Sequence, residues 1–150
     1  MYELISIDLG MNFAIAFWRE GVCEEVLENN LEDMLHCDGL TRILQIIRKA
    51  VGESRPEIAC ERPSRSMPVQ WIQYSDIRAL ADMYKVGFFG YVPPTIKKSV
   101  SGNGRASKGE IRESVRNANV CKDSLSIEDM SEHEVDAIAC GMCYYKNKGQ

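Results

Sequence analysis

The chain predicts an α/β fold: a five-stranded mixed sheet with helices on both faces. Three observations point there. Residues 2–8, 13–18 and 22–28 are short apolar or alternating runs separated by turn-forming residues, the pattern of an antiparallel three-strand meander. Amphipathic helical stretches then alternate with two further short apolar runs, 57–61 and 88–92, as in sheets whose later strands are joined through helices. A length of 150 residues at 45% hydrophobic and 27% charged fits one domain, residues 1–150, with one ordinary core.

In the first strand Ile5 and Ile7 alternate with smaller residues, and Tyr2 and Leu4 extend the run. It ends at Asp8 and turns at Gly10. Phe13 to Trp18 is the second strand, and Glu20-Gly21 turns the chain into the third. Leu40, Ile43, Leu44 and Ile47 recur at helical spacing, so a helix is expected over 38–51, with Pro56 stopping any continuation. Glu57-Ile-Ala-Cys-Glu61 is a short strand that again ends in a carboxylate.

A loop with Pro63, Pro68, Arg62 and Arg65 follows. The next helix is expected over 69–85, with Tyr74, Ile77, Ala81 and Tyr84 as its core-facing stripe and Gly87 as its end. Phe88 to Val92 is the last strand, closed by Pro93-Pro94, and 95–106 reads as a loop. Ser107 with Glu110, and Ser131 with Glu134, are capping-box pairs that open two further helices. The final helix carries Val135, Ile138, Ala139 and Met142 on one stripe.

No apolar run reaches the roughly 18 residues of a membrane span, so no membrane association is expected. Met1 leads straight into the first strand, which leaves no room for a leader. The expected compartment is the cytoplasm, that of a host cell if the chain is viral. The six cysteines show no framework spacing and are expected as reduced thiols, with Cys140 and Cys143 packing in the core. The net charge of −4 argues against nucleic-acid binding in general, but its distribution argues for a local anionic partner. Residues 95–122 hold seven basic and two acidic side chains, a net +5 on a body of −9. A solvated helix face is the plain alternative.

Taken alone, Asp8 reads as an Asx turn before Gly10, and Glu61 as an ion pair with Arg62. Asp136 has neither excuse: it lies too deep in the last helix to cap it, between apolar Val135 and Ile138. Glu134 is accounted for as the partner of Ser131. His133 sits three residues before Asp136, on the same helical face. If the first and fourth strands are neighbours, Asp8 and Glu61 meet at one edge and the last helix lays His133 and Asp136 across them. Such carboxylates need a cation, and with one imidazole among them Mg²⁺ or Mn²⁺ suits better than zinc. Two such ions about 3.5–4 Å apart can drive phosphodiester hydrolysis.

The set Ile5-Ser-Ile-Asp-Leu-Gly10, Ala59-Cys-Glu61, the block from Lys97 through Ser101-Gly-Asn-Gly-Arg-Ala-Ser to Lys108, and His133-Glu-Val-Asp-Ala-Ile-Ala139 resembles the RuvC-type Holliday junction resolvases over most of the chain. The resemblance implies an RNase H-like fold. It implies Asp8, Glu61 and Asp136 as catalytic metal-binding carboxylates, with His133 where many members carry another aspartate. Two Mg²⁺ per site are implied, with Mn²⁺ substituting. Lys97 and Lys108 match the family lysines, and Lys108 is implied to sit near the scissile phosphate. The implied activity is paired symmetric nicking of four-way junction DNA by a homodimer, leaving 5′-phosphate and 3′-hydroxyl ends; the sequence leaves open whether a branch-migration motor is a partner. The expected DNA-binding set is Lys97, Lys98, Gly102, Gly104, Arg105, Lys108, Arg112, Arg116, Arg62 and Arg65.

Three departures from the family pattern stand out. Leu9 replaces a proline, Ala14-Ile15 replaces a threonine-glycine pair, and residues 63–67 lack the aromatic that wedges into the junction, leaving Trp71 or Met67 as substitutes. A related RNase H-fold nuclease acting on flap or branched DNA, or on structured RNA, is the alternative reading. An ATP-binding module of the actin-like fold also opens with D-x-G but needs a second domain. A pure DNA-binding scaffold would not gather three carboxylates beside phosphates.

Overall fold

The computed structural model describes residues 1–29 and 36–148, with the side chains of 36–40 left out of the description. The strands are β1 (Leu4–Asp8), β2 (Phe13–Arg19), β3 (Val22–Asn29), β4 (Glu57–Glu61) and β5 (Phe88–Tyr91). The helices are α1 (His36–Ser54), α2 (Pro68–Tyr84), α3 (Pro93–Ser101), α4 (Lys108–Ala118) and α5 (Glu132–Asn147), with a 3₁₀ turn at Ile127–Asp129. The sheet order is β3-β2-β1-β4-β5. The β1–β2 and β2–β3 pairs are antiparallel; β1–β4 and β4–β5 are parallel. Glu20 and Gly21, with φ of 51° and 77°, make the β2–β3 turn.

Two cores flank the sheet. Ile5, Ile7, Ile15 and Ile58 pack against Ile43 and Ile47 of α1 and Tyr74, Ile77 and Ala81 of α2. Leu4, Ala16, Trp18 and Ala59 pack on the other face against α3, α4 and α5. Residues of β1 are therefore buried on both sides, and all five are inaccessible or nearly so. The expected Tyr74–Ala81 stripe is core, and Cys140 and Cys143 are buried within the second cluster.

Two expected elements differ. Residues 93–101 form α3, not a loop. Pro93 and Pro94 occupy its first turn, where a missing N–H is harmless and the fixed φ favours the helix, so the pair ends β5 and starts α3 at once. Gly102, at φ 82°, ends it. In α2 the stop is Lys85, in the left-handed region with its N–H on Ala81 and Asp82 carbonyls, two residues before the expected Gly87. Both N-caps opening α4 and α5 are present: Ser107 Oγ accepts from Glu110 N–H, and Ser131 and Glu134 form the full reciprocal box.

The sheet and α5 are tied by one buried relay. Trp18 Nε1 donates to Ser6 Oγ at 2.8 Å, and Ser6 Oγ donates to the Ala137 carbonyl at 2.6 Å. Trp18 also packs against α5 at Gly141, where a Cβ would clash with the indole. Helix propensity alone favours alanine there by about 1 kcal/mol. Gly141→Ala is nevertheless expected to destabilise the protein, by about 1–3 kcal/mol through overpacking. Urea unfolding of the two proteins checks the sign.

Candidate active site

Because β1 and β4 run parallel and side by side, with Ile7 opposite Cys60, their last residues leave the sheet at the same end. Those residues are Asp8, 8% exposed, and Glu61, partly buried. The Ser6–Ala137 bond seats α5 across β1, so the first turns of α5 reach over this end. Asp8, Glu61, His133, Asp136 and Lys108 line one cavity of about 290 Å³, rimmed by Leu9, Pro63, Met67 and Pro93. The geometry thus brings together all five residues expected to carry chemistry.

Within the cavity His133 Nδ1 lies 2.8 Å from Asp8 Oδ2, and Lys108 Nζ lies 2.5 Å from Asp136 Oδ2. Lys108 reaches Asp136 because it is the first residue of α4, immediately after the Ser107 cap. Burial, then the charges of Asp8 and Asp136, push Glu61 up to about 7; Lys108 and Lys97 pull the other way. Burial also raises Asp8 above the ordinary carboxylate range, although its bond to His133 opposes the rise. That same bond to Asp8 raises His133 against the effect of its own burial. For Lys108, burial favours the neutral amine, but the bond to Asp136 and the surrounding carboxylates outweigh it and raise it.

This donor set fits a divalent cation chemically: three carboxylates and an imidazole line one cavity, and burial together with neighbouring charge disfavours the bare ionised form of Asp8 and Glu61 when no cation is there. Among the described residues no three His, Cys, Asp or Glu side chains stand close enough to cage an ion as they are placed. Lys108 and His133 occupy two of the carboxylates instead, so metal binding requires those side chains to yield.

The expected DNA-binding residues separate into groups. Lys97 borders a small cleft with Glu61, Lys108 and Asp136. Lys98, Gly102 and Gly104 line a different cleft with Lys146 and Asn147, since neighbouring positions on α3 point about 100° apart. Arg105 is exposed in the loop that follows, its N–H held by Asn103 Oδ1. Arg112 and Arg116 do not form an unpartnered stripe: Arg112 Nη1 donates to the Ile127 carbonyl and Arg116 Nε pairs with Glu128, so both brace the 3₁₀ turn. Arg62 stacks over Trp71 at 5.8 Å, and Arg65 is exposed on the rim loop. Trp71 is further held by Nε1 donating to the Ser64 carbonyl and by an edge contact with Tyr74. Gln73, which the sequence reading passed over, is buried beside the Asp8 turn; a glutamine inside an apolar helical stripe was the available signal.

A curated relative, the crossover junction endodeoxyribonuclease RuvC of Anaplasma phagocytophilum (strain HZ), is 32% identical over 126 residues, covering 81% of this chain and 73% of its own length. The chain belongs to the RuvC family. RuvC enzymes are metal-dependent crossover junction endonucleases, and the RuvC structure of Thermus thermophilus superposes with a TM-score of 0.71 at 18% identity, over 97% of this chain and 95% of that one. T. thermophilus RuvC in complex with Holliday junction substrate gives 0.73 at 19% identity, over 99% and 97%. The RuvC likeness establishes the RNase H-like fold expected above. No family model matches the chain.

The raised Glu61 has a measurable consequence. Without metal, the folded chain holds a proton on Glu61 between the ordinary glutamate value of 4.5 and about 7, where the unfolded chain has lost it. Stability of the metal-free protein therefore falls as pH rises through that window. Glu61→Gln is expected to flatten the slope, leaving the parts due to Asp8 and His133, whose raised values act in the same direction. Urea midpoints for both proteins in chelator check this; parallel pH profiles contradict it.

Proposed function

We propose that this RuvC-type Holliday junction resolvase hydrolyses one phosphodiester in each of two opposed strands of a four-way junction, leaving 5′-phosphate and 3′-hydroxyl ends. The observation that carries the reading is the convergence of Asp8, Glu61 and Asp136 on one cavity beside Lys108. Asp8 and Glu61 would hold one divalent cation and His133 with Asp136 the other. Bound there, two Mg²⁺ ions, or Mn²⁺ in their place, supply an activated water and neutralise the leaving oxygen. Lys108 exchanges its contact with Asp136 for the phosphate and offsets the charge that develops on it. Burial of Asp8 and Glu61 keeps both carboxylates poorly solvated and so ready to trade protons for a cation.

The DNA backbone passes from this cavity across the neighbouring clefts beside α3. Lys97, Lys98, Arg105, Arg62 and Arg65 contact phosphates, and Gly102 and Gly104 permit close backbone approach. Arg112 and Arg116 join them only by leaving their present partners. Of the two substitutes for a wedge aromatic, Trp71 is immobilised, whereas Met67 stands 45% exposed at the cavity mouth. Met67 is the better placed to press between base pairs.

The active unit is a homodimer. Along α2, Val69, Ile72 and Met83 are exposed on one stripe, flanking the face that packs in the core. A second copy would cover them, and two sites facing one junction account for paired nicks. No helix among the described residues is long and apolar enough to cross a membrane.

Asp8→Asn is expected to bind a synthetic four-way junction as the unaltered protein does, while cleavage in Mg²⁺ falls by about 10³-fold or more. Gel-shift assays in Ca²⁺ and cleavage assays in Mg²⁺ measure the two separately. Cleavage near the unaltered rate overturns the assignment. Run beside linear duplex, flap DNA and structured RNA, the same assay decides between a junction resolvase and a related nuclease. Ile72→Glu is expected to shift sedimentation from dimer to monomer without unfolding the chain.

A further inference from the structure

The turn that carries Asp8 out of the sheet has no strand to lean on. Pairing with β4 ends at Ile7–Cys60, and pairing with β2 ends at Asp8–Ala14. Leu9 and Gly10 continue beyond both ladders, yet both are buried. Gly10 adopts φ 145°, a conformation that side-chain-bearing residues rarely take, so the local backbone has unusual latitude. Its peptide groups cannot be left bare in that setting without a substantial penalty.

Gln73 meets both. The Gly10 N–H donates to Gln73 Oε1 at 2.9 Å, and Gln73 Nε2 donates to the Gly10 carbonyl at 2.9 Å. The side-chain amide thus stands in for one more residue of a β ladder, delivered from α2. Gln73 is 2% exposed, so water does not compete for these bonds. It belongs to the apolar side of α2, beside Tyr74 and one turn before Ile77, where a hydrocarbon would pack without difficulty. A glutamine at that position serves Gly10 with both ends of its amide.

We propose that Gln73 is a positioning residue for Asp8: by clamping Gly10, two residues on, it fixes the exit of the chain from β1 and so the direction in which the Asp8 carboxylate enters the cation pocket. The inference rests on the divalent-cation reading given above. Gln73 touches neither metal nor DNA; it acts through the backbone, as the hydrogen-bonding partners behind first ligands do in metal sites generally.

Gln73→Met removes both bonds at similar length, and Gln73→Glu keeps the acceptor for Gly10 N–H while losing the donor. Mn²⁺ binding is followed by calorimetry on metal-free protein without DNA, with Asp8→Asn as the reference. Junction affinity is measured in Ca²⁺, cleavage against Mn²⁺ concentration, and folding by circular dichroism. Gln73→Met is expected to weaken Mn²⁺ binding about 10- to 100-fold and to raise the half-saturating Mn²⁺ for cleavage in parallel, with junction affinity unchanged. Gln73→Glu is expected to fall between it and the unaltered protein, and carries the test if the methionine variant does not fold. A purely structural role would lower the melting temperature and leave the metal affinity of the folded fraction where it was; that result overturns the proposal. If the unaltered protein binds Mn²⁺ no better than Asp8→Asn, the cation reading itself fails and the role of Gln73 with it. If the unaltered protein binds well and folded Gln73→Met binds equally, the role of Gln73 alone fails.

Discussion

Parallel pairing of β1 with β4 is the constraint on which the site depends. In an antiparallel pair, the last residues of two strands lie at opposite ends. In this parallel pair, Asp8 and Glu61 leave the sheet together, and the fold must then accommodate two acids at one point. The third acid arrives by a separate route. Ser6 binds the carbonyl of Ala137, the residue next to Asp136, and Trp18 holds the Ser6 hydroxyl in turn. A short side chain in the centre of the sheet therefore sets where the last helix can lie, and with it the position of the last carboxylate.

Like charges gathered in this way oppose folding unless something offsets them. The protein uses protons and internal cations. Glu61 keeps its proton to about 7, His133 lies on Asp8, and Lys108 on Asp136. None of these is a strong lock. The Lys108 and His133 side chains are 58% and 41% exposed, so solvent weakens both pairs and either cation can move aside. A site held by displaceable partners exchanges them readily for divalent ions and a phosphate. Apolar Leu9, Pro63 and Pro93 around the mouth restrict water and make each remaining charge count for more.

Much of this was legible in the residues. The alternation in β1 and β2, the carboxylates closing β1 and β4, and the Ser131–Glu134 box each carry a local signature with one dominant explanation. Asp136 could be singled out because no capping or solvation role suits its depth in α5. What escaped has an equally physical reason. Pro93-Pro94 marks a boundary, and a boundary signal does not say whether a loop or a helix follows. Arg112 and Arg116 share a helical face with Lys108, but periodicity cannot reveal that the turn at Ile127–Asp129 folds back to take their donors. Gln73 gave the weakest sign: its partner is a backbone group 63 positions away, and backbone groups have no sequence of their own.

The claim beneath the whole account is that the end of β1 and β4 binds divalent cations. Anomalous diffraction from crystals grown in Mn²⁺ tests it most directly. The account predicts Mn²⁺ peaks in the cavity within coordination reach of oxygens of Asp8 and Glu61, with Lys108 withdrawn from Asp136. Crystals that show Mn²⁺ only elsewhere, with His133 still on Asp8 and Lys108 still on Asp136, would contradict it.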